Sequence, residues 1–185
     1  MSTALIESAK AEYAKKVYEV GGTNRGPDVE KYQKCVGLAP GSPWCAAFVS
    51  WNIVNSQKLE KAPSWCSGSV VTMWHKATKK LPAGSYTTPK KISFQTAVKP
   101  GWIWCRAKDA AGASQALAGI WTQGHTGIVI SVDDKGFTTI EGNTNAAGSR
   151  EGDGVYEKRH LWNDAKQMSR TIGWFDPAAV LPPKP

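Results

Sequence analysis

The chain has 185 residues, 41% of them hydrophobic, and a formal net charge of +8. That length and apolar content allow a buried core and argue against disorder, and no apolar run is long enough to span a bilayer. The four cysteines, Cys35, Cys45, Cys66 and Cys105, lack the close paired spacing of structural zinc sites.

In chain order, Ile6, Ala9, Tyr13, Val17 and Val20 recur at helical spacing and predict an amphipathic helix over about residues 3–20. Gly21-Gly22 ends it, and Asn24-Arg25-Gly26-Pro27 reads as a turn. Pro27 opens a second helix through Val29, Tyr32 and Val36. A third helix is expected from about Pro43 to Asn55, with Ser42 as its cap and Pro43 in its first turn. It is apolar on most sides, and a shorter helix follows over about residues 70–79. Residues 81–89 read as loop. Strand-like runs then occupy residues 101–106, 126–132, 137–141, 154–159 and 171–175, with Asp133-Asp134-Lys135-Gly136 joining two of them as a hairpin. Residues 107–124, rich in Ala, Gly, Ser and Gln, read as an insertion, and the tail from Pro177 as frayed. Helices first and antiparallel strands second predict an α+β fold of about five strands, in one domain over residues 1–185 without a linker.

Cys45 falls at the start of the third helix, beside unpaired backbone N–H groups and the positive end of the helix dipole. That setting favours the thiolate, which is the nucleophilic form. A cysteine nucleophile needs a base, and the base needs an orienting group. His125, between Gly124 and Gly127 at the start of a strand, is the candidate base. Glu141 and Asn143 end the next strand, where antiparallel pairing brings a strand's start beside its partner's end. Two residues apart on a regular strand, they would share a face and orient His125 together. Trp44, Gly124, Thr126 and Trp121, close in sequence to Cys45 or His125, are the candidate substrate-binding residues. His75 and His160 read as structural or exposed, and Cys35, Cys66 and Cys105 as inert buried thiols.

The charge is uneven. No acidic residue lies between Glu60 and Asp109, where Lys61, Lys76, Lys79, Lys80, Lys90, Lys91, Lys99, Arg106 and Lys108 fall. Such a field attracts polyanions, although a solvated basic face without a partner gives the same pattern. No stacking module accompanies it, so nucleic acid is not the expected partner.

Three segments in order, Trp44-Cys45-Ala46-Ala47-Phe48-Val49, Gly124-His125-Thr126-Gly127 and Glu141-Gly142-Asn143, resemble the motifs of the CHAP family, the cysteine, histidine-dependent amidohydrolases/peptidases of the NlpC/P60 group. The polar turn and strand of residues 149–156 resemble those domains too, and the likeness covers about residues 21–177. The resemblance implies a papain-like fold, with Cys45 as nucleophile, His125 as base, Glu141 as orienter and Asn143 assisting. It implies peptidoglycan as substrate, cleaved in the stem peptide or cross-bridge or at the glycan–peptide amide. The Cys45 N–H would serve the oxyanion hole; residues 38–43 hold no glutamine for a second donor. No cofactor is expected. Some phage members bind calcium through an acid-rich loop, but only Asp28 and Glu30 stand nearby here, which leaves calcium an open alternative.

The N-terminus lacks the basic start and apolar stretch of a secretory signal. With no separate wall-binding module, the expectation is a monomeric, phage endolysin-like enzyme. It would be made in a host cytoplasm and act on the wall after membrane permeabilisation, with the basic stretch drawn to an anionic wall or membrane surface. Two rivals stay open: a non-catalytic wall-polymer or anionic-surface binding module with Cys45 inert, and a cysteine amidase or acyltransferase acting on small molecules.

Overall fold

A computed structural model describes residues 2–146 and 152–181. Four helices come first: α1 (Ser2–Ala14), α2 (Pro27–Cys35), α3 (Cys45–Gln57) and α4 (Val70–Thr78). Strands and short helices follow: β1 (Tyr86–Thr87), α5 (Phe94–Ala97), β2 (Ile103–Ala107), α6 (Ala110–Leu117), β3 (Gly124–Val132), β4 (Gly136–Thr144), β5 (Gly154–Leu161), α7 (Ala165–Arg170) and β6 (Thr171–Phe175). The strands form one antiparallel sheet in the order β1-β6-β2-β3-β4-β5. The expected α+β class holds. Among the described residues the sheet has six strands rather than about five, because Tyr86 and Thr87, inside the expected loop, pair with Phe175 and Trp174.

Neighbouring residues along β2 and β3 enter opposite apolar clusters, Ile103 against Trp104 and Ile128 against Val129. The larger cluster gathers Leu5, Val29, Phe48 and Met73 from the first four helices against the sheet. The smaller holds Val98, Trp102, Trp104, Val129, Phe137 and Trp174. Both faces are therefore covered, which accounts for strands that read as continuous apolar runs.

The first helix ends at Ala14, well before Gly21-Gly22. Lys16 turns left-handed (φ 54°). Val17 to Glu19 are then extended against the start of β5, where Val155 donates to the Val17 carbonyl and Glu19 to that of Asp153. The buried stripe of α1 is Leu5, Ser8, Ala9 and Glu12, while Tyr13 of the predicted stripe is exposed. Two of these four are polar and satisfied in the interior. Ser8 donates to Asn52, and Glu12 accepts from Lys15, Lys31 and Tyr32. Burial disfavours the Glu12 carboxylate, but those donors outweigh it and hold its pKa below the usual value.

The loop Asp133 to Gly136 closes the expected hairpin, with the Asp133 carboxylate accepting from the Lys135 and Gly136 N–H groups. The expected insertion is partly helical, as α6. Pro177–Val180 forms a turn of 3₁₀ helix with Pro177 buried, so that part of the tail is ordered rather than frayed. Residues 149–151 of the polar turn, and 182–185 of the tail, lie outside the described residues.

Candidate active site

Cys45 is the first residue of α3. The expected cap at Ser42 is not formed. Trp44 takes the cap position without a side-chain bond, while the Ser42 carbonyl accepts from Gln33. The reason is the anchoring of Trp44. Its indole is fully buried, stacked on Tyr32, and donates to Glu19 at 2.9 Å. Starting the helix two residues later than expected leaves Cys45 still closer to the positive end of its dipole.

The α3 helix packs against β3 and β4. Gly142 on β4 makes this close: a Cβ there would stand 2.6 Å from the Trp44 ring and 2.7 Å from Phe48. The Cys45 thiol lies 3.9 Å from the Gly124 carbonyl at the start of β3, one residue before His125. His125 is fully buried, and its Nε2 lies 2.7 Å from Glu141 Oε2. A carboxylate only accepts, so Nε2 carries the proton and Nδ1 is left for the thiol. Nδ1 makes no conventional hydrogen bond among the described residues, yet Cys45 is close enough to raise the proton affinity of the ring. Burial works against a charged imidazole here. The Glu141 hydrogen bond and the proximity and charge of Cys45 and Glu141 outweigh it, and the His125 pKa is raised to about 9.

Glu141 is 2% exposed and has both oxygens filled. Oε2 accepts from His125, and Oε1 from the Thr139 hydroxyl and from His160 Nε2 at 2.8 Å. Burial raises its pKa, but the two histidines overcome that and hold the carboxyl far below the usual range. Gly127 makes room for it: a Cβ at Gly127 would lie 2.6 Å from Glu141 Cγ.

Asn143 does not join this group. The pairing of β4 with β5 shifts register between Glu141 and Thr144, and Asn143 adopts a left-handed conformation (φ 55°). The regular alternation that would have aligned it with Glu141 is therefore broken. Its amide nitrogen donates to Asn24 Oδ1 (3.2 Å) and the Gly152 carbonyl (3.0 Å), and its oxygen accepts from the Trp44 N–H (3.2 Å). Asn143 thus holds the start of the helix that carries Cys45.

A model of the CHAP domain matches residues 37–143, more than half of the chain and all three motif segments. The chain belongs to the CHAP family. Comparison with curated proteins and with solved structures gave no match. Family membership makes this a hydrolase of the amidase/peptidase kind with peptidoglycan as its substrate class.

The four substrate-binding candidates divide. Trp44 of this CHAP domain is wholly interior and unable to touch a ligand. Thr126 is equally buried, its hydroxyl donating to the Trp104 carbonyl at 2.6 Å. The two are buried for different reasons: Tyr32, Phe48 and Gly142 enclose Trp44, while Thr126 pairs with Cys105 of β2. Gly124 keeps its carbonyl beside Cys45. Trp121 is 66% exposed and edges a groove of about 480 Å³ between α4 and α6, with His75, Lys76, Lys79 and Leu117.

Three further residues support the site without having been read from the sequence. Glu19 bonds the Trp44 indole and the Asn24 N–H; Asn24 meets Asn143; His160 meets Glu141. Only His160 had a signal, since antiparallel pairing sets it opposite Phe137 on the face shared with Thr139 and Glu141. The four cysteines are free thiols. Burial pushes the Cys66 and Cys105 thiols up to about 12 and raises that of Cys35. Of the acids considered for calcium, Asp28 pairs with Lys31 (2.6 Å) and Glu30 with Arg25 (4.0 Å). Among the described residues no group of three or more His, Cys, Asp or Glu could hold a metal ion.

Proposed function

We propose that Cys45, His125 and Glu141 cleave an amide bond of peptidoglycan through a covalent acyl-enzyme. The observation that carries this reading is the ordered line from the helix-start thiol to a buried imidazole to a buried carboxylate. The Cys45 thiolate attacks the amide carbon, and the negative charge that develops on oxygen is held by the Cys45 N–H at the positive helix end. His125 gives its Nδ1 proton to the leaving amine. The neutral imidazole then takes a proton from water, whose oxygen attacks the thioester and releases the carboxylic acid and the thiolate. Glu141 keeps the ring aimed and stabilises its charged form. No metal takes part in this scheme, and added chelator should leave the rate unchanged.

The scissile bond lies in the stem peptide or cross-bridge, or joins peptide to glycan. Digestion of purified peptidoglycan with mass spectrometry of the fragments tests this. New peptide amino termini support an endopeptidase, and free lactyl carboxyls with intact peptides support an amidase acting on the glycan link. Intact peptidoglycan alongside hydrolysis of simple amides would favour the small-molecule reading.

Substrate contact is assigned to Trp121 and to the backbone at Gly124. Val70, which packs on Gly124 beside the Cys45 thiol, begins the helix that forms one wall of the Trp121 groove. An exposed indole offers a flat face for a sugar ring, worth about 1 kcal/mol. Trp121→Ala is expected to raise KM roughly five- to tenfold with kcat held, measured on soluble wall fragments. An unchanged KM would remove Trp121 from the site. The exposed lysines between Lys61 and Lys108 draw the enzyme to anionic wall polymer, in keeping with a lytic, endolysin-type role on a wall reached once the membrane is breached. Lysis of permeabilised cells, with intact cells spared, tests that placement.

A further inference from the structure

His160 stands one strand beyond Glu141, and its surroundings fix both ring nitrogens. The Gln167 side-chain amide lies 2.8 Å from Nδ1 and donates to it, so Nε2 carries the proton and points at Glu141 Oε1, also 2.8 Å away. The Thr139 hydroxyl closes the triangle, 2.9 Å from His160 Nε2 and bonded to Glu141 Oε1. The ring is held flat against Phe137 (centroids 4.8 Å apart) and tilted over Trp104 (4.4 Å). This is a clamped donor, with its tautomer set by one neighbour and its plane by two others.

The position has a second consequence. Glu141, His160 and Gln167 line a polar cleft of about 350 Å³, together with Arg106, Lys158, Arg159 and Asp164; Cys45 and His125 are not part of it. His160, its side chain 11% exposed, stands between this cleft and Oε1 of a carboxylate that is itself 3% exposed. Removing the ring would open Glu141 to water from that side and leave Oε1 held by the Thr139 hydroxyl alone.

We propose that His160 is a positioning residue for the nucleophilic pair, acting through Glu141: its Nε2–H fixes the carboxylate that in turn fixes His125. This rests on the reading of Cys45, His125 and Glu141 as the catalytic set. The line of contacts runs thiol, imidazole, carboxylate, imidazole, amide, and ends at Gln167 on α7.

The test reads the pair directly and needs no wall substrate. Alkylation of Cys45 by iodoacetamide at neutral pH is followed by mass spectrometry of the Cys45 peptide, with the thermal midpoint measured beside it. His160→Phe keeps the stacking and loses the donor. His160→Gln keeps an N–H donor and loses the stacking. A hydrogen bond to a charged group has about the strength of a tenfold effect. His160→Phe should therefore alkylate about tenfold more slowly, and His160→Gln within about threefold of the wild type. With Glu141→Gln already in place, adding His160→Phe should change nothing further. Wild-type alkylation by His160→Phe, equal slowing by both variants, or multiplied effects in the double variant would overturn the proposal. His125→Ala separates the two levels of the argument. If it slows alkylation while His160→Phe does not, the pair stands and the His160 role falls. If it alkylates like the wild type, the pair is wrong and the His160 role falls with it.

Discussion

Glu141→Gln is expected to lower kcat/KM about a hundredfold, at the low end of what positioned acid–base groups contribute. The carboxylate accepts from three donors, the Nε2–H groups of His125 and His160 and the Thr139 hydroxyl. A glutamine has one acceptor oxygen and an NH₂, so one edge must set donor against donor. If the oxygen faces His125, the ring is still aimed, but the charge that stabilises its protonated form is gone. The substitution also breaks a buried pair, which typically costs roughly 3–5 kcal/mol. The effect therefore reaches stability as well as turnover, and the thermal midpoint should fall.

The pH dependence follows from the direction of each shift. The His125 pKa is raised from 6.5 to about 9, so its contribution to stability is fully present below pH 6.5 and lost as pH rises through about 9. Glu141 is lowered from 4.5, so its contribution is present above pH 4.5 and lost as pH falls through its folded value. The difference in midpoint between wild type and Glu141→Gln should be largest between pH 4.5 and 6.5 and shrink as pH passes 9. Wild-type activity should fall over the same alkaline range, as the imidazolium that protonates the leaving amine disappears. Unchanged kcat/KM in the variant, or a midpoint difference that is flat with pH, would contradict the role given to the carboxylate.

Gly127→Ala should have the second largest effect. Its Cβ would stand 2.6 Å from Glu141 Cγ, 3.1 Å from Thr139 Cβ and 3.2 Å from the Ile140 carbonyl. The neighbours on β4 are buried and cannot retreat, so Glu141 must shift relative to His125. Overpacking of this kind costs roughly 1–3 kcal/mol, and a displacement of about 1 Å at a reacting group can cost about a hundredfold in rate. Kinetics well below the unfolding transition should show kcat/KM reduced tenfold or more, with Cys45 alkylation slowed in parallel. A variant with wild-type kinetics would mean that the clearance at Gly127 does not set the position of Glu141.

The residues proposed as nucleophile, base and orienter were legible as candidates because each belongs to a local pattern with a physical reason. Cys45 sits at a helix start, His125 opens a strand, and Glu141 ends the strand paired with it. Of the fold, β6 was read to the residue, and α2 and α4 nearly so. Other elements were hidden for different reasons. The short strand β1 exists only through its pairing with β6, and two residues carry no period. The end of α1 is decided by capture of Val17 and Glu19 at β5, a contact more than a hundred residues away in sequence. The buried face of α1 was displaced in the reading because Ser8 and Glu12 are polar groups satisfied by α2 and α3, and apolar periodicity cannot register them. Asn143 was aligned with Glu141 by assuming a regular strand; the register shift and left-handed backbone sent its amide to the start of α3. His160 read as a lone histidine because its partners come from another strand and a later helix.

The account turns on Cys45 as the nucleophile. The most direct measurement compares release of labelled fragments from purified peptidoglycan by the wild type, by Cys45→Ala, and by a variant with Cys35, Cys66 and Cys105 all replaced by alanine. The predicted result is no release above background from Cys45→Ala, with release retained by the variant whose only thiol is Cys45. Release by Cys45→Ala at the wild-type rate would contradict the account.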